Sequence, residues 1–343
     1  MATTLSLYDH HDHQPPPIAP VAGSAARPLL SVMLPTYRPD ARLQRAIGSV
    51  LSQHVGAEGM EVVVVDDDSP PGAVEEIVRG VDRGGRVGIV RNERRLGLAG
   101  NWNRAISLAR GKLVHLLHQD DYILPGFYER LAPAFDHDSV GMAFCRSRIV
   151  DGEDCLLKLT SRQQWLAGVI PDWLPQIARR QRVQTPAALV SRSTYEAVGG
   201  YRADLCHALD WEMWVRIAAR LPVWYEPRPL AAYRRHEANE SSRLAAAGRV
   251  WPDITRAIEV NASHLPPALR RRAVAASIKW YASSALRTAE RQVAAGALDA
   301  AEATLLHTGT MLGLIPGDAV AASLWRRIGR FRSRLTDVQR RAA

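Results

Sequence analysis

LSVMLPTY (30–37), EVVVVDD (61–67), RVGIVRN (86–92) and KLVHLLH (112–118) are the four short runs that decide the fold. Each is rich in Val, Ile or Leu, and each is followed by a segment with helical periodicity, which is the pattern of βα units around a parallel sheet. A fifth run, VGMAFCRS (140–147), continues the series. The predicted helices between the runs are Asp40–Gln53, Ala73–Arg79, Ala99–Arg110 and Gly126–Phe135. We therefore predict an α/β fold with a mainly parallel central sheet, whose right-handed crossovers place the helices on both faces.

The flanking sequence divides the chain into three parts. Residues 1–27 carry a His/Asp cluster (10–13) and a Pro run (15–17) without periodicity, and we predict a disordered leader. Residues 28–242 hold the α/β pattern, which ends with a strand at AALVS (187–191), a helix over Asp210–Arg220, and strands at VWYE and AAYRR. The segment 152–186 fits neither period and is expected to be irregular. Residues 243–343 are rich in Ala and Arg and predict a helical C-terminal region.

Composition bounds the function without choosing it. A chain of 343 residues can bury one large or two modest cores, so its three cysteines, which lack a CxxC spacing, are interpreted as reduced thiols. The formal charge of +9 fits nucleic acid, an anionic membrane or phosphate-bearing substrates. No run reaches the roughly 20 apolar residues of a membrane span. We expect a cytoplasmic protein.

Polar residues follow the predicted strands at the point where each strand ends. In an open parallel sheet, ligands bind at this edge. The residues concerned are Pro35, Thr36 and Tyr37; Asp66, Asp67, Asp68 and Ser69; Arg91 and Asn92; and His118, Gln119, Asp120 and Asp121. A helix cap explains one acidic residue per loop, but not a row of three followed by a second pair.

The acidic pairs predict a divalent cation. Neighbouring carboxylates repel one another unless a positive charge lies between them, and the oxygen ligands of Asp120 and Asp121 suit Mg²⁺ or Mn²⁺. No GxxxxGK[ST] loop follows any strand, so a P-loop does not hold the phosphates. The string GLAG (97–100) is a weak Gly-rich signal that leaves Asn101 and Asn103 as expected donor contacts.

Seven motifs together resemble the family 2 inverting glycosyltransferases. They are SVMLPTYRP, EVVVVDDDS, RNERRLGLAGNWNRAI, LLHQDDYILPGF, AVGGYRADL, ALDWEMWVRIA and YRRHEANES, in the order and at spacings similar to those of that family, from Leu29 to Ser242. The resemblance implies the GT-A fold, a UDP- or dTDP-sugar donor, a Mg²⁺ or Mn²⁺ ion, and a hydroxyl acceptor that is a glycan, a lipid-linked molecule or another alcohol. It also implies a role in polysaccharide or glycoconjugate synthesis.

The resemblance assigns roles residue by residue. It implies that Pro35, Thr36, Tyr37 and Asp67 contact the base and ribose, and that Asp120 and Asp121 end the metal motif, with Asp121 as the expected direct ligand. Gly199 and Gly200 match the turn before the acceptor loop. Asp210 matches the catalytic base. His236 matches a histidine in a loop that can close over the diphosphate, and it is a second candidate metal ligand.

Two positions depart from the family pattern. His118 and Gln119 precede Asp120 and Asp121 where the family often has Asp-x-Asp-Asp, so an imidazole replaces a carboxylate and the choice of metal stays open. Leu209 precedes Asp210 where the family often has Glu-Asp, which bears on acceptor preference.

Three alternatives stay open at this point. Asp210 precedes an apolar helical pattern, so it is also a candidate N-cap. The domain could be a nucleotidyltransferase, although PTYRPD (35–40) stands where that class has a Gly-rich basic signature. A degenerate transferase could serve as a binding module, but no nucleic-acid partner is expected, because aromatics are sparse in the basic C-terminus.

The basic C-terminus has two interpretations of its own. Its arginines, from Arg326 to Arg341, are interspersed with the apolar residues Leu324, Trp325, Ile328, Phe331 and Leu335. This pattern predicts either peripheral contact with an anionic membrane face or a helix packed on the domain.

Overall fold

The computed structural model describes residues 14–22, 26–55, 59–137, 139–236 and 239–342. The His/Asp cluster at 10–13, which the sequence assigned to the leader, lies outside these residues.

The N-terminal half of the sheet is parallel, as predicted. Four strands, β1 (Leu30–Thr36), β2 (Met60–Asp66), β3 (Val87–Arg91) and β4 (Leu113–Leu116), alternate with the helices α1 (Ala41–Leu51), α2 (Ala73–Val81) and α3 (Gly97–Leu108). They pair in the order β3-β2-β1-β4, all parallel. The carboxyl ends of β1, β2 and β4 therefore meet at one edge.

The second half of the sheet is mixed. Its elements are β5 (Tyr122–Ile123), α4 (Phe127–Leu131), a 3-10 turn (Ala132–Asp136), β6 (Met142–Val150), β7 (Leu156–Leu159), β8 (Gly168–Val169), α5 (Trp173–Arg179), a 3-10 turn (Thr185–Ala187), β9 (Ala188–Ser191), α6 (Arg192–Val198), α7 (Leu209–Ala218) and β10 (Val223–Arg234). The order continues β4-β9-β6-β10-β5, with β9 antiparallel to both of its neighbours and β6 parallel to β10. VWYE and AAYRR are the two ends of the single strand β10, which shifts register between Glu226 and Ala231.

Strand β1 is buried along its whole length, because helices cover both faces of the sheet. Successive side chains of a strand point to opposite faces. Val32 and Leu34 accordingly join one core with α1, whereas Met33 joins the other core with α3 and the C-terminal helices. The near-continuous apolar run that predicted this strand thus reflects burial on two sides.

The prediction of a disordered leader is wrong for residues 14–22. Ile18 is 4% exposed and belongs to the main core. The carbonyl of Pro16 accepts a hydrogen bond from the Gly200 N–H at 2.8 Å, and the Arg192 guanidinium donates to the Ala19 carbonyl at 2.7 Å. The segment lacks a periodic pattern because it contributes backbone carbonyls and one apolar side chain, and proline restricts its unfolded state.

The C-terminal region is helical, as predicted, and comprises α8 (Glu240–Ala246), α9 (Val250–His264), α10 (Pro267–Ala294), α11 (Leu298–Gly313) and α12 (Ala319–Ala342). Helices α9 to α12 share one core with α5 and α7, so the C-terminal region packs against the α/β part and not apart from it. On α12, Leu324 and Ile328 are buried in that core, as the packed-helix alternative predicted. None of the helices in the described ranges is both long and apolar enough to cross a membrane.

Candidate active site

A cleft of about 750 Å³ opens at the carboxyl ends of β1, β2 and β4. We call residues 35–42, 67 and 95–102 its N-terminal wall, and residues 181–185 and 206–210 its C-terminal wall. Residues 118–120 form the floor, and residues 233–236 and 239–244 form the rim. Seven of the residues predicted from strand ends line this cavity: Pro35, Thr36, Tyr37, Asp67, His118, Gln119 and Asp120.

Asp67 anchors the N-terminal wall. Its carboxylate accepts hydrogen bonds from the N–H groups of Leu96 (2.7 Å) and Gly97 (2.9 Å) at the start of α3, and from Asn92 Nδ2 (3.0 Å). Asn101 accepts a second bond from Asn92 and donates to the Val65 carbonyl. A helix N-terminus favours a negative charge. Asp67 therefore lines the cleft while its carboxylate fixes the loop before α3.

Tyr37 is held by Gln119. The Gln119 amide accepts from the Tyr37 N–H at 2.9 Å and donates to the Tyr37 carbonyl at 3.2 Å. The guanidinium of Arg95 lies 4.1 Å from the centroid of the Tyr37 ring, and that of Arg38 lies 5.3 Å away. Within the described ranges neither arginine pairs with a carboxylate. Pro35 and Thr36 line the cleft beside them, so this wall offers an aromatic ring and two free positive charges to a ligand.

Asp121 does not reach the cleft, which corrects its assignment as the direct metal ligand. It is 1% exposed, and its Oδ1 accepts from the Arg234 N–H at 2.9 Å. Its Oδ2 lies 3.3 Å from His118 Nδ1. Burial raises the pKa of Asp121 to about 6, although the nearby His118 opposes the shift. Asp121 thus holds the floor against β10.

His118 stacks on Trp102, with ring centroids 4.6 Å apart, and it faces three carboxyl groups. Burial alone would lower the pKa of His118, but Asp121, Asp120 and Asp210 together raise it. Its Nε2 is buried without a hydrogen-bond partner among the described residues. The imidazole therefore adds positive character at the floor, where the family pattern often has an aspartate.

Asp120 and His236 face the cleft as a pair, with Asp120 Oδ2 2.9 Å from His236 Nε2. Burial would raise the pKa of Asp120, but the hydrogen bond from His236 and the charges of His118 and His236 lower it. A Mg²⁺ or Mn²⁺ ion bound here would replace the hydrogen bond between the two side chains, with one carboxylate oxygen and one imidazole nitrogen as its protein ligands. Elsewhere in the described chain, as here, no three His, Cys, Asp or Glu side chains are grouped to hold a metal. Such an ion would need ligands from phosphates and water, as Mg²⁺ commonly does.

Asp210 lies in the first turn of α7 and is not the helix cap, since the N-cap residue is Ala208. The backbone N–H groups before the helix are bound by Asp253 of α9. Its carboxylate oxygens accept hydrogen bonds from the N–H groups of Cys206 at 2.9 Å and of His207 and Ala208 at 2.8 Å. Asp210 accepts a hydrogen bond from the adjacent Trp211 N–H at 2.7 Å. Burial raises the pKa of Asp210 to about 6. The carboxyl is thus free to act on a ligand.

The amide of Gln181 is beside Asp210 and holds its pKa down somewhat. Gln181 Nε2 and Gln184 Oε1 are nevertheless buried without hydrogen-bond partners at 3.5 Å or less in the part of the chain that the structure describes. A buried polar group without a partner is costly unless a ligand satisfies it. The C-terminal wall therefore presents a carboxyl, an amide donor and an amide acceptor to the cleft.

Asn103 does not line the cleft, which corrects its assignment as a donor contact. Its amide donates to the Tyr201 carbonyl at 2.8 Å and accepts from the Tyr201 N–H at 2.6 Å. A side chain at Gly200 would collide with Asn103 Oδ1, so the close approach requires glycine there. Gly199, with φ +84°, precedes it. Asn103 and the Gly pair thus fix the turn that leads toward residues 206–210.

Sequence reasoning missed Arg95, the Gln119 bridge and the glutamines of the C-terminal wall. Arg95 lies in the RNERRLG string after a predicted strand, so its position indicated a candidate site residue in the same way as that of Asn92. Gln181 and Gln184 lie in a segment without periodicity, so no local pattern could place them.

Comparisons with known proteins agree with this geometry. The profile of Glycosyl transferase family 2 matches residues 31–196. An uncharacterized protein of Mycobacterium tuberculosis (MT1568) is 33% identical over 241 residues, covering 67% of this chain and 74% of the relative. The uncharacterized glycosyltransferase MJ1057 of Methanocaldococcus jannaschii is 24% identical over 201 residues, 58% of this chain and 68% of the relative.

Solved structures share the fold. S. aureus TarS in complex with UDP-GlcNAc superposes with a TM-score of 0.61 at 17% identity, covering 84% of this chain and 81% of that one. The mannosyltransferase PcManGT of Pyrobaculum calidifontis, in complex with GDP-Man and Mn²⁺, gives 0.54 at 19% identity, covering 95% and 84%.

The fold and the cleft define a glycosyltransferase of the GT-A class. The chain belongs to glycosyl transferase family 2, which confirms the sequence-based resemblance and sets aside the nucleotidyltransferase alternative.

Proposed function

We propose that the protein transfers a sugar, with inversion, from a UDP- or dTDP-sugar to a hydroxyl group of an acceptor, in polysaccharide or glycoconjugate synthesis. The observation that carries the proposal is the carboxyl of Asp210. It has a raised pKa and a single backbone hydrogen bond, and it faces the same cleft as Asp120 and His236.

The N-terminal wall is proposed to bind the nucleotide. Tyr37 offers its ring, Pro35 and Thr36 line the adjoining surface, and Asp67 keeps the start of α3 in place. Arg38 and Arg95 lack carboxylate partners within the described residues, so they are available to the diphosphate. TarS is in complex with UDP-GlcNAc and PcManGT with GDP-Man, which supports a nucleoside diphosphate sugar as the class of donor.

The residues at the floor fit a Mg²⁺ or Mn²⁺ ion. Asp120 and His236 would hold it, because their donor atoms face the cleft, whereas Asp121 does not line the cleft and its Oδ1 accepts from the Arg234 N–H. When bound, the ion supplies charge stabilisation to the leaving diphosphate. His236 lies on the rim, next to the residues that would cover the phosphates.

Asp210 is proposed to act as general base. A carboxylate with a pKa near 6 is ionised at neutral pH and is a stronger proton acceptor than an ordinary aspartate. It removes the proton of the acceptor hydroxyl as that oxygen forms a bond to the anomeric carbon and the bond from this carbon to the diphosphate breaks. Attack from the face opposite the diphosphate inverts the anomeric centre without a covalent enzyme intermediate.

A screen of nucleotide release from UDP-, dTDP- and GDP-sugars, with and without Mn²⁺, tests the proposal. Release of one nucleoside diphosphate that rises with Mn²⁺ is the expected result. Absence of release from every donor, with a folded protein and a range of hydroxyl acceptors, would refute it.

A further inference from the structure

Three arginines stand within four residues where the chain leads from α5 into the C-terminal wall. Arg179 ends α5, Arg180 follows it, and Arg182 lies two residues further on. In the part of the chain described here, none of them forms an ion pair with a carboxylate. Arg202, by contrast, pairs with Asp204 at 2.8 Å. The wall therefore carries a cluster of uncompensated positive charge.

The cluster is held in place without any counter-ion. The guanidinium of Arg180 lies 4.0 Å from the centroid of the Trp280 ring of α10. Arg182 donates from Nε to the Gln176 carbonyl at 3.0 Å and from Nη1 to Gln163 Oε1 at 2.9 Å. Burial, together with the charges of Arg180 and Arg179, lowers the pKa of Arg182 to about 10. Mutual repulsion is thus present in the free protein, and an anion would relieve it.

The cluster adjoins the proposed catalytic base. Gln181, between Arg180 and Arg182, lines the cleft, and its side chain lies beside Asp210. The Gln181 N–H donates to the Tyr281 hydroxyl at 3.0 Å, and this hydroxyl is in electrostatic range of both Asp210 and Arg180. Gln181 thus lines the cleft beside Asp210, whereas the guanidinium groups of its chain neighbours Arg180 and Arg182 contact Trp280, Gln176 and Gln163, one residue away along the chain.

Resting on the proposed function, we infer that Arg179, Arg180 and Arg182 bind a phosphate group of the acceptor, close to the hydroxyl that receives the sugar. A guanidinium presents paired donors that match phosphate oxygens, and a ring stacked beneath it reduces the freedom lost on binding. The phosphate belongs either to a soluble phosphodiester chain or to a lipid-linked acceptor at a membrane surface. A neutral glycan does not satisfy the site.

The test compares two double variants with the same change of charge. Arg179→Gln/Arg180→Gln removes two of the three clustered arginines, and Arg271→Gln/Arg272→Gln removes two exposed arginines from α10, the helix that carries Trp280. Calorimetry measures binding of a short glycerol phosphate oligomer and of a neutral maltooligosaccharide. Co-sedimentation with phosphatidylcholine vesicles, with and without phosphatidylglycerol, tests the lipid source. Thermal unfolding verifies that both variants are folded.

The wild type is expected to bind a phosphate-bearing probe, more weakly at high salt, and not the neutral sugar. The Arg179→Gln/Arg180→Gln protein should lose about tenfold in affinity, as expected for charge-assisted contacts, while the control keeps it. Binding of the oligomer assigns a soluble phosphodiester, and binding only of the anionic vesicles assigns a lipid. No binding of either by the wild type, or an equal loss in the control, overturns the inference. The assay needs no turnover, so a failed donor screen is distinguishable from a failed phosphate site.

Discussion

The two walls of the cleft are stabilised in different ways. The N-terminal wall is fixed by its own loops, since Asp67 binds the start of α3, Asn92 joins Asn101, and Gln119 brackets Tyr37. These partners come from neighbouring βα units of one parallel sheet.

The C-terminal wall depends on helices that follow it by tens of residues. Asp253 of α9 holds the N–H groups of residues 206–208, and Tyr281 of α10 holds Gln181. His264 contacts the buried Glu212 of α7 at 2.8 Å, and Glu212 in turn pairs with Arg216. The hydrogen bonds that hold the proposed donor side thus come from the loops of the sheet, whereas those that hold the proposed acceptor side come from the C-terminal helices. Changes in the two walls should have separable effects on nucleotide binding and on transfer.

The largest effect is expected for Asp210→Asn. The substitution keeps the size of the side chain and an oxygen for the Trp211 N–H, but it removes the proton acceptor. Transfer should fall by roughly 10²- to 10⁴-fold, the usual contribution of a positioned general base, while UDP affinity stays close to that of the wild type. Initial rates and calorimetry measure the two quantities. Near-normal turnover would place the base elsewhere.

A second prediction concerns the floor between the walls and compares the variants Asp120→Asn and Asp121→Asn. Asp120 faces the cleft and Asp121 is bound to Arg234, so only the first change should abolish the dependence of UDP binding on Mn²⁺. A loss of about 10- to 100-fold in Mn²⁺-dependent affinity is expected. Asp121→Asn should instead lower the unfolding temperature. If Asp121→Asn alone removes the Mn²⁺ effect, the original assignment of the ligand was right.

Asp253→Ala and Asp67→Ala test the walls directly, because each removes one carboxylate that holds backbone N–H groups. Asp253→Ala leaves three N–H groups without their acceptor beside Asp210 and should lower transfer by about tenfold, with little change in UDP affinity. Asp67→Ala releases the start of α3 and should weaken UDP binding instead. Each should cost about 2 kcal/mol of unfolding free energy, measured in urea. Parallel losses of both activities in both variants would contradict the independence of the walls.

The difference between the walls also explains what the sequence could predict. Strand ends are visible as apolar runs that stop at polar residues, and a parallel sheet brings such ends together, so Tyr37, Asp67 and Asp120 could be placed at one cleft. The sequence predicted Asp121 as the direct metal ligand, but it is Asp120 that faces the cleft. This difference could not be predicted, since adjacent residues differ only in the direction of their side chains.

Fewer sequence patterns predict the residues of the C-terminal wall. Gln181 lies in a segment without helical or strand periodicity. Asp253 binds backbone N–H groups of residues that precede it by 45 to 47 positions in the chain. Such contacts depend on how α9 packs on α7, which no local propensity encodes. Residues 14–22 were misinterpreted for the same reason, because their order comes from Gly200 and Arg192.

The smallest effect is expected for Tyr281→Phe, which removes one hydroxyl from α10 and keeps the ring that packs on Trp211. The Gln181 N–H loses its acceptor, at a cost of about 1 kcal/mol in unfolding free energy. Since the Gln181 side chain holds the pKa of Asp210 down, its displacement should raise that pKa above about 6. The base acts when ionised, so transfer falls as the pH falls through this pKa, and the acid limb of the rate profile should move to higher pH.

Tyr128→Phe is the matched control, because its hydroxyl is also buried and bonds His115 at 2.9 Å, but Tyr128 does not line the cleft. The two variants should lose similar stability, while only Tyr281→Phe shifts the acid limb and lowers transfer a few-fold at unchanged UDP affinity. Equal profiles for both variants would reduce Tyr281 to a packing role. The dependence of the acceptor side on the C-terminal helices would then rest on α9, through Asp253, whereas a shift confined to Tyr281→Phe ties the titration of the base to α10.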